Sequence, residues 1–116
     1  MKLNTKKYKV SIFTETSCDY CTETKKILKE NNIPFNDKCI TVTSPELKKE
    51  NGDTRWEYID AEREHHMAWY TPVLIIEDLD NNTTYIPTVQ DKSRHLAGQA
   101  MDGPEDLIGV LKPYLI

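Results

Sequence analysis

Two of the three cysteines stand three residues apart, in Cys18-Asp19-Tyr20-Cys21. A thiolate, not a thiol, attacks disulfides. A free cysteine has a pKa of about 8.5, so little of it is ionised at neutral pH. The N-terminus of a helix shifts that balance, because its unpaired N–H groups and its dipole favour an anion. The residues around the pair predict such a setting. Tyr8-Lys9-Val10-Ser11-Ile12-Phe13-Thr14 alternates and is β-branched and aromatic, the pattern of a strand. From Cys18 to about Asn31 the period becomes helical, with Cys21, Thr24, Ile27 and Leu28 on one face and Glu23, Lys25, Lys26 and Lys29 outside. Cys18 therefore falls at a strand-to-helix junction. Cys21 lies one turn in on the same side, placed to attack a mixed disulfide formed at Cys18 and release the product. Two other readings compete. The pair could be half of a zinc site completed by Cys39, His65 or His66, although no second Cys-x-x-Cys and no spaced His pair accompanies it. It could also be incidental, against which its place between strand and helix argues.

A second feature is Tyr70-Thr71-Pro72, just ahead of the apolar run Val73-Leu74-Ile75-Ile76. Proline readily admits a cis peptide bond. A cis Thr71-Pro72 bond would open the backbone of Thr71 to an extended substrate, paired like an added strand. Alone the tripeptide reads as a helix stop; beside a reactive cysteine pair it reads as part of a site.

The other elements must position these two. Phe35 to Val42 predicts a second strand. Ser44-Pro45 opens a short helix to Glu50, and Thr54-Arg55-Trp56-Glu57 is a capping box for a helix to about Ala68. In that helix Trp56, Ile59, Arg63, His66 and Met67 fall on neighbouring faces, and Trp56 and Trp69 are expected to pack. Val73 to Ile76 and Thr83 to Ile86 form a hairpin across Asp80-Asn81-Asn82. Residues 87–101 lack a period and predict a long loop. A last helix starts near Gly103-Pro104, with Leu107, Ile108 and Leu111 inward and Pro113 shortening it. Cys39 is expected as a buried small hydrophobe, and His65 and His66 as surface residues.

The 116 residues suit one domain, 1–116. Fifteen Lys and Arg against nineteen Asp and Glu give a net charge of −4, which argues against general nucleic-acid binding. No run of about 18 apolar residues is present, so no membrane span is expected. Met1 to Val10 is basic without an apolar signal core, and an odd number of cysteines does not suggest a secreted disulfide scaffold. The expected setting is a reducing cytoplasm.

Val10-Ser11-Ile12-Phe13 leading into Cys18-Asp19-Tyr20-Cys21, Thr71-Pro72 leading into Val73 to Ile76, and Gly103-Pro104-Glu105-Asp106-Leu107 resemble the glutaredoxins of the thioredoxin superfamily, in order along nearly the whole chain. Ser17 before Cys18 and Tyr20 before Cys21 resemble the dithiol glutaredoxins more than the Trp-Cys-Gly-Pro-Cys of thioredoxins. The resemblance implies an α/β thioredoxin-like fold, a central four-stranded mixed sheet with helices on both faces. It implies a glutathione-linked thiol–disulfide oxidoreductase with Cys18 as nucleophile and Cys21 as resolving thiol. Tyr20, Tyr70, Thr71 and Pro72 would bind substrate, Thr71 through its backbone. Glu105 and Asp106 would hold the γ-glutamyl end of glutathione. Glutathione would be a cosubstrate, with no tightly bound cofactor and no metal. A disulfide-bearing protein would be the client of a monomer. Some small glutaredoxins, including bacteriophage-encoded ones, serve ribonucleotide reductase, which makes that enzyme a candidate client.

The departures bear on this. Asp19 stands where the family usually has proline, and Glu15 where it often has lysine or arginine; both add negative charge beside the thiolate. Tyr70 replaces the common threonine, and Asp102 the first glycine of the Gly-Gly pair. The glutathione carboxylates then need another cation, for which Arg63, Lys25, Arg94 and His95 are candidates. Two alternatives stay open: a thioredoxin-like donor reduced by a flavoprotein, and a glutathione-dependent iron–sulfur binding module.

Overall fold

The computed structural model describes residues 2–41, 54–65, 70–80, 82–88 and 100–116. The short helix expected after Ser44, the segment 66–69 with Trp69 and His66, and most of the 87–101 loop lie outside these residues.

Strand β1 (Tyr8–Thr14) is followed by helix α1 (Asp19–Glu30) and strand β2 (Asn36–Cys39). After these come helix α2 (Thr54–His65) and the hairpin of β3 (Val73–Asp78) and β4 (Thr83–Pro87). A 3₁₀ turn (Pro104–Asp106), helix α3 (Leu107–Leu111) and a second 3₁₀ turn (Lys112–Tyr114) complete the order. The four strands form one mixed sheet in the order β2-β1-β3-β4. β2 is parallel to β1, whereas β3 is antiparallel to β1 and β4 to β3. This is the thioredoxin-like arrangement that the resemblance implies.

Strand alternation sends side chains to two layers. Val10, Leu74, Ile76 and Ile86 join Leu28 of α1 and Leu107, Val110 and Leu111 of α3 in one core. Phe13, Val73 and Ile75 join Tyr58 and Ala61 of α2 in the other. Helices therefore cover both faces, and the central strands β1 and β3 are buried on both sides, which explains the unbroken apolar run Val73–Ile76. Phe13 organises the α2 side, with Tyr58 edge-on to it at 5.2 Å and Tyr85 stacked at 6.2 Å.

α1 has the predicted inward face, with Cys21, Thr24 and Leu28 buried and Ile27 half-buried. It stops at Asn31, whose backbone and side-chain amides both donate to the Ile27 carbonyl. Asn32 follows in the left-handed region at φ 56°, as at many helix ends.

Several sequence expectations need correction. β2 is shorter than Phe35–Val42, because the chain bends away after Cys39; Cys39 is half-buried there and its thiol donates to the Thr41 carbonyl at 3.1 Å. α2 turns a different face inward. Tyr58, Ala61 and Glu62 are buried, whereas Trp56 is 62% exposed and Arg63 lies in solvent. That helix is polar nearly all round, so its period does not single out an inner stripe. The C-terminal helix, by contrast, starts from the 3₁₀ turn at Pro104 and gives way to another at Pro113, as expected, which leaves it five residues long. Among the described residues, no helix is long and apolar enough to cross a membrane.

The packing has an expected consequence. Leu28 has 0% exposure between α1 and the sheet, so Leu28→Ala should cost about 2–5 kcal/mol in urea unfolding. Trp56→Ala, at an exposed position, should stay within about 0.5 kcal/mol of wild type. Equal losses for the two would contradict the assignment of the inner faces.

Candidate active site

The site is assembled at the end of the sheet where β1 finishes and β3 begins. Phe13 pairs with Val73 in the antiparallel register, so residues just after β1 lie beside residues just before β3. Glu15, Thr16 and Ser17 turn the chain, with Ser17 in the left-handed region at φ 59°. Cys18 then takes the N-cap of α1 in an extended conformation. Its sulfur accepts a hydrogen bond from the Cys21 backbone N–H at 3.2 Å. That N–H is one of the donors a helix start leaves without an intrahelical partner, and the helix dipole has its positive end there. The local structure therefore supplies what the spacing of the pair calls for.

Cys18 and Cys21 are joined as a disulfide, with their Cα atoms 5.2 Å apart. They differ in access. Cys18 is half-buried at the mouth of a cleft, and Cys21 is 1% exposed beneath it. The cleft has a volume of about 350 Å³ and is lined by Glu15, Ser17, Cys18, Asp19, Tyr20 and Thr71. An incoming sulfur can reach Cys18 from solvent, while Cys21 can reach only Cys18.

The Thr71-Pro72 bond is cis. The Thr71 hydroxyl lies 3.9 Å from Cys18 Sγ and donates to Glu15 Oε2 at 3.3 Å. Pro72 is buried behind it, and its carbonyl accepts from the Thr88 N–H at 3.0 Å. Tyr70 is half-buried and does not line the cleft; its carbonyl accepts the Tyr58 hydroxyl at 2.7 Å. α2 thus fixes the backbone entering the cis bond, although its sequence gave no sign of that task.

Of the residues singled out in the sequence, the structure brings Cys18, Cys21, Tyr20, Thr71 and Pro72 together. Glu105 and Asp106 are not part of the lining of this cleft. They occupy the 3₁₀ turn that packs on α1. Glu105 is exposed, and Asp106 accepts from the Asp102 N–H at 3.4 Å, closing its own turn. Gly103 permits that turn. Its φ is +92°, and a Cβ there would come within 2.8 Å of the Glu105 carboxylate.

The cations considered for glutathione fare similarly. Lys25 is held by Asp37 at 3.0 Å, and Asp37 also accepts the Thr14 hydroxyl. Arg63 is exposed in the last turn of α2, and Arg94 and His95 lie outside the described residues. Among the described residues, no group of three or more His, Cys, Asp or Glu could hold a metal ion.

The contact between Glu15 and Thr71 was missed. In the sequence Glu15 stood out only by its charge; its partner lies 56 residues away, and only the pairing of β1 with β3 joins them.

Comparison with known families gives a match over part of the chain. The family model described as glutaredoxin matches residues 10–54, the segment that contains most of β1, the Cys18-x-x-Cys21 pair, α1 and β2. No curated protein and no solved structure matched the chain.

The Tyr58 hydroxyl has a measurable signature. Burial first, and then the negative charges of Glu62 and Glu15, push its ionisation far above the ordinary 10.0. The unfolded phenol would ionise near that ordinary value while the folded one stays protonated. Its contribution to stability is therefore complete below about pH 10 and is lost as pH rises further. Tyr58→Phe should cost about 0.5–1.5 kcal/mol at neutral pH. It should also flatten part of the alkaline fall in stability seen by urea unfolding; Tyr85, raised in the same direction mainly by burial, keeps the rest. An alkaline slope unchanged by the substitution would show that Tyr58 does not carry it.

Proposed function

Residues 10–54 match the glutaredoxin family and include the Cys18-x-x-Cys21 pair, and from this we propose that the protein is a glutathione-linked thiol–disulfide oxidoreductase that reduces protein disulfides or glutathione mixed disulfides. The observation that carries the proposal is the pairing of an accessible Cys18 at the α1 N-cap with a buried Cys21 in disulfide contact. The family match and that pair support thiol–disulfide oxidoreductase activity. Glutathione as cosubstrate, a cytoplasmic setting, and a client such as ribonucleotide reductase are finer steps that rest on the resemblance.

The reaction begins from the dithiol. The Cys18 thiolate, stabilised by the Cys21 N–H and the helix N-terminus, attacks one sulfur of the substrate disulfide. A bond forms between Cys18 Sγ and that sulfur, and the other substrate sulfur leaves as a thiolate and takes up a proton. Cys21 gives up its proton and attacks Cys18 Sγ, so the second substrate thiolate departs and the Cys18–Cys21 disulfide forms. The protein has lost two electrons and two protons, and the substrate has gained them. Two glutathione molecules restore the dithiol. The first attacks Cys18, the only one of the two sulfurs open to solvent, and the second releases glutathione disulfide.

Thr71 takes part by position. Its hydroxyl lies beside Cys18 Sγ and its backbone borders the cleft, where an extended substrate could pair with it. Tyr20 forms part of the cleft wall and offers a ring for the substrate chain.

The test is NADPH consumption with glutathione, glutathione reductase and a small glutathione mixed disulfide. Cys18→Ser should abolish turnover. Cys21→Ser should retain a monothiol activity on the glutathione mixed disulfide and lose the reduction of protein disulfides. Full activity in Cys18→Ser would overturn the proposal. Turnover supported by thioredoxin reductase but not by glutathione would keep the dithiol chemistry and replace its reductant.

A further inference from the structure

The charge of the cleft bears on which disulfides enter it. The cleft is lined by two carboxylates, Glu15 and Asp19, and by no lysine, arginine or histidine among the described residues. The Glu15 carboxylate is held in place, because the Thr71 hydroxyl that touches Cys18 Sγ donates to it. Asp19 is the first residue of α1, next to the reacting sulfur. Lys25 is on the same helix but is already held by Asp37. The exposed lysines Lys2, Lys6, Lys7 and Lys9 lie before or at the start of β1, and Lys112 lies beside the bridge between Leu3 and Leu115. All five are thus at the end of the sheet opposite to Cys18. Glu77 and Asp78 stand beside Lys9 and Tyr8 at that end, and Lys38 and Arg55 lie near the end of β1 that leads to Cys18, so the excess of negative charge belongs to the lining of the cleft itself.

We propose that Glu15 and Asp19 are specificity-determining residues, which select disulfides flanked by cationic groups, such as a cystine within a basic segment of a protein client, over disulfides flanked by anions. This rests on the redox function proposed above. Both carboxylates border the cleft in which Cys18 Sγ is met. Fields of this kind change association rates by roughly ten- to a thousandfold, and salt screens them over about 10 Å at 0.1 M. They act mainly on encounter, and like charges placed opposite each other also reject wrong partners. Glutathione, net negative at neutral pH, works against the same field, so the two half-reactions should respond to salt in opposite senses.

The experiment is a single-turnover oxidation of the reduced protein by two small disulfides. Cystamine carries an ammonium on each side, and dithiodipropionate a carboxylate. The yield of the Cys18–Cys21 disulfide is read after acid quench by mass spectrometry. Each rate is divided by that of neutral dithiothreitol with the same disulfide, which removes differences in the disulfides' own reactivity. A change in the reactivity of Cys18 itself multiplies both rates equally and cancels in their ratio. At low salt the normalised ratio of cystamine to dithiodipropionate should be about tenfold or more. It should shrink toward one in high salt and in the Glu15→Gln, Asp19→Asn double variant. A ratio near or below one in the wild type, or a large ratio indifferent to salt or to the double variant, would overturn the specificity while leaving the redox function standing. Failure of both disulfides to oxidise the protein, or equal consumption by Cys18→Ser, would instead remove the redox function and the specificity with it.

Discussion

The antiparallel register of β1 on β3 is the constraint on which the site depends. Phe13 opposite Val73 and Ile12 opposite Leu74 fix where each strand ends. Cys18 and Thr71, 53 residues apart in the chain, come within 3.9 Å as a result. A slip of one residue would turn every side chain of one strand to the other face. Val10 and Phe13 would exchange cores, and the Glu15–Thr71–Cys18 contacts would be lost in the same step. Both faces of these strands are packed, so a slip would put side chains of the wrong size and shape into each core, at a cost of about 1–3 kcal/mol for each misfit. The hydrophobic layers thus enforce a register that the polar contacts at the site, part-buried and few, could not hold by themselves.

Each face of the sheet makes a separate contribution. The α1 face anchors the helix through Leu28 and sets Cys21 beneath the surface, leaving the first turn, with Cys18 Sγ on the Cys21 N–H, to project at the rim. The α2 face holds the other wall, through Tyr58 packed on Phe13 and bonded to the Tyr70 carbonyl. Access to Cys18 and denial of access to Cys21 follow from helix placement, not from any special chemistry of either thiol.

The parts of this arrangement legible in the sequence are those with a strong local period or a short-range motif. β1 has the bounds that its alternation and β-branched composition imply, and α1 has the inner face that its spacing implies, because each has a strong local period. The apolar run before Asp78 and the turn residues after it made the hairpin plain. α2 was legible as a helix from its capping box, but its buried face was not, since tertiary contact with Phe13 chose Tyr58 over Trp56. At the site, the cysteine pair and Thr71-Pro72 could be read directly. Glu105 and Asp106 came from resemblance, and the turn that holds them packs on α1 without lining the cleft. Partners far apart in sequence, as in Glu15–Thr71 and Tyr58–Tyr70, leave no local trace.

The chemistry and the selectivity of this cleft reside in different parts of the chain. The group that favours a thiolate at Cys18 is a backbone N–H at a helix start, which most side-chain substitutions would leave in place. The groups that set the field are the side chains of Glu15 and Asp19, both exposed, and neither belongs to the core. At 4 Å an exposed charge pair is worth about 1 kcal/mol in bulk water, too little to decide the fold. It is enough to bias which partner arrives. Charge at these two positions can therefore change without disturbing the register, the helix or the disulfide. The backbone that cradles the cysteine pair and the side chains that set the field around it can thus vary independently.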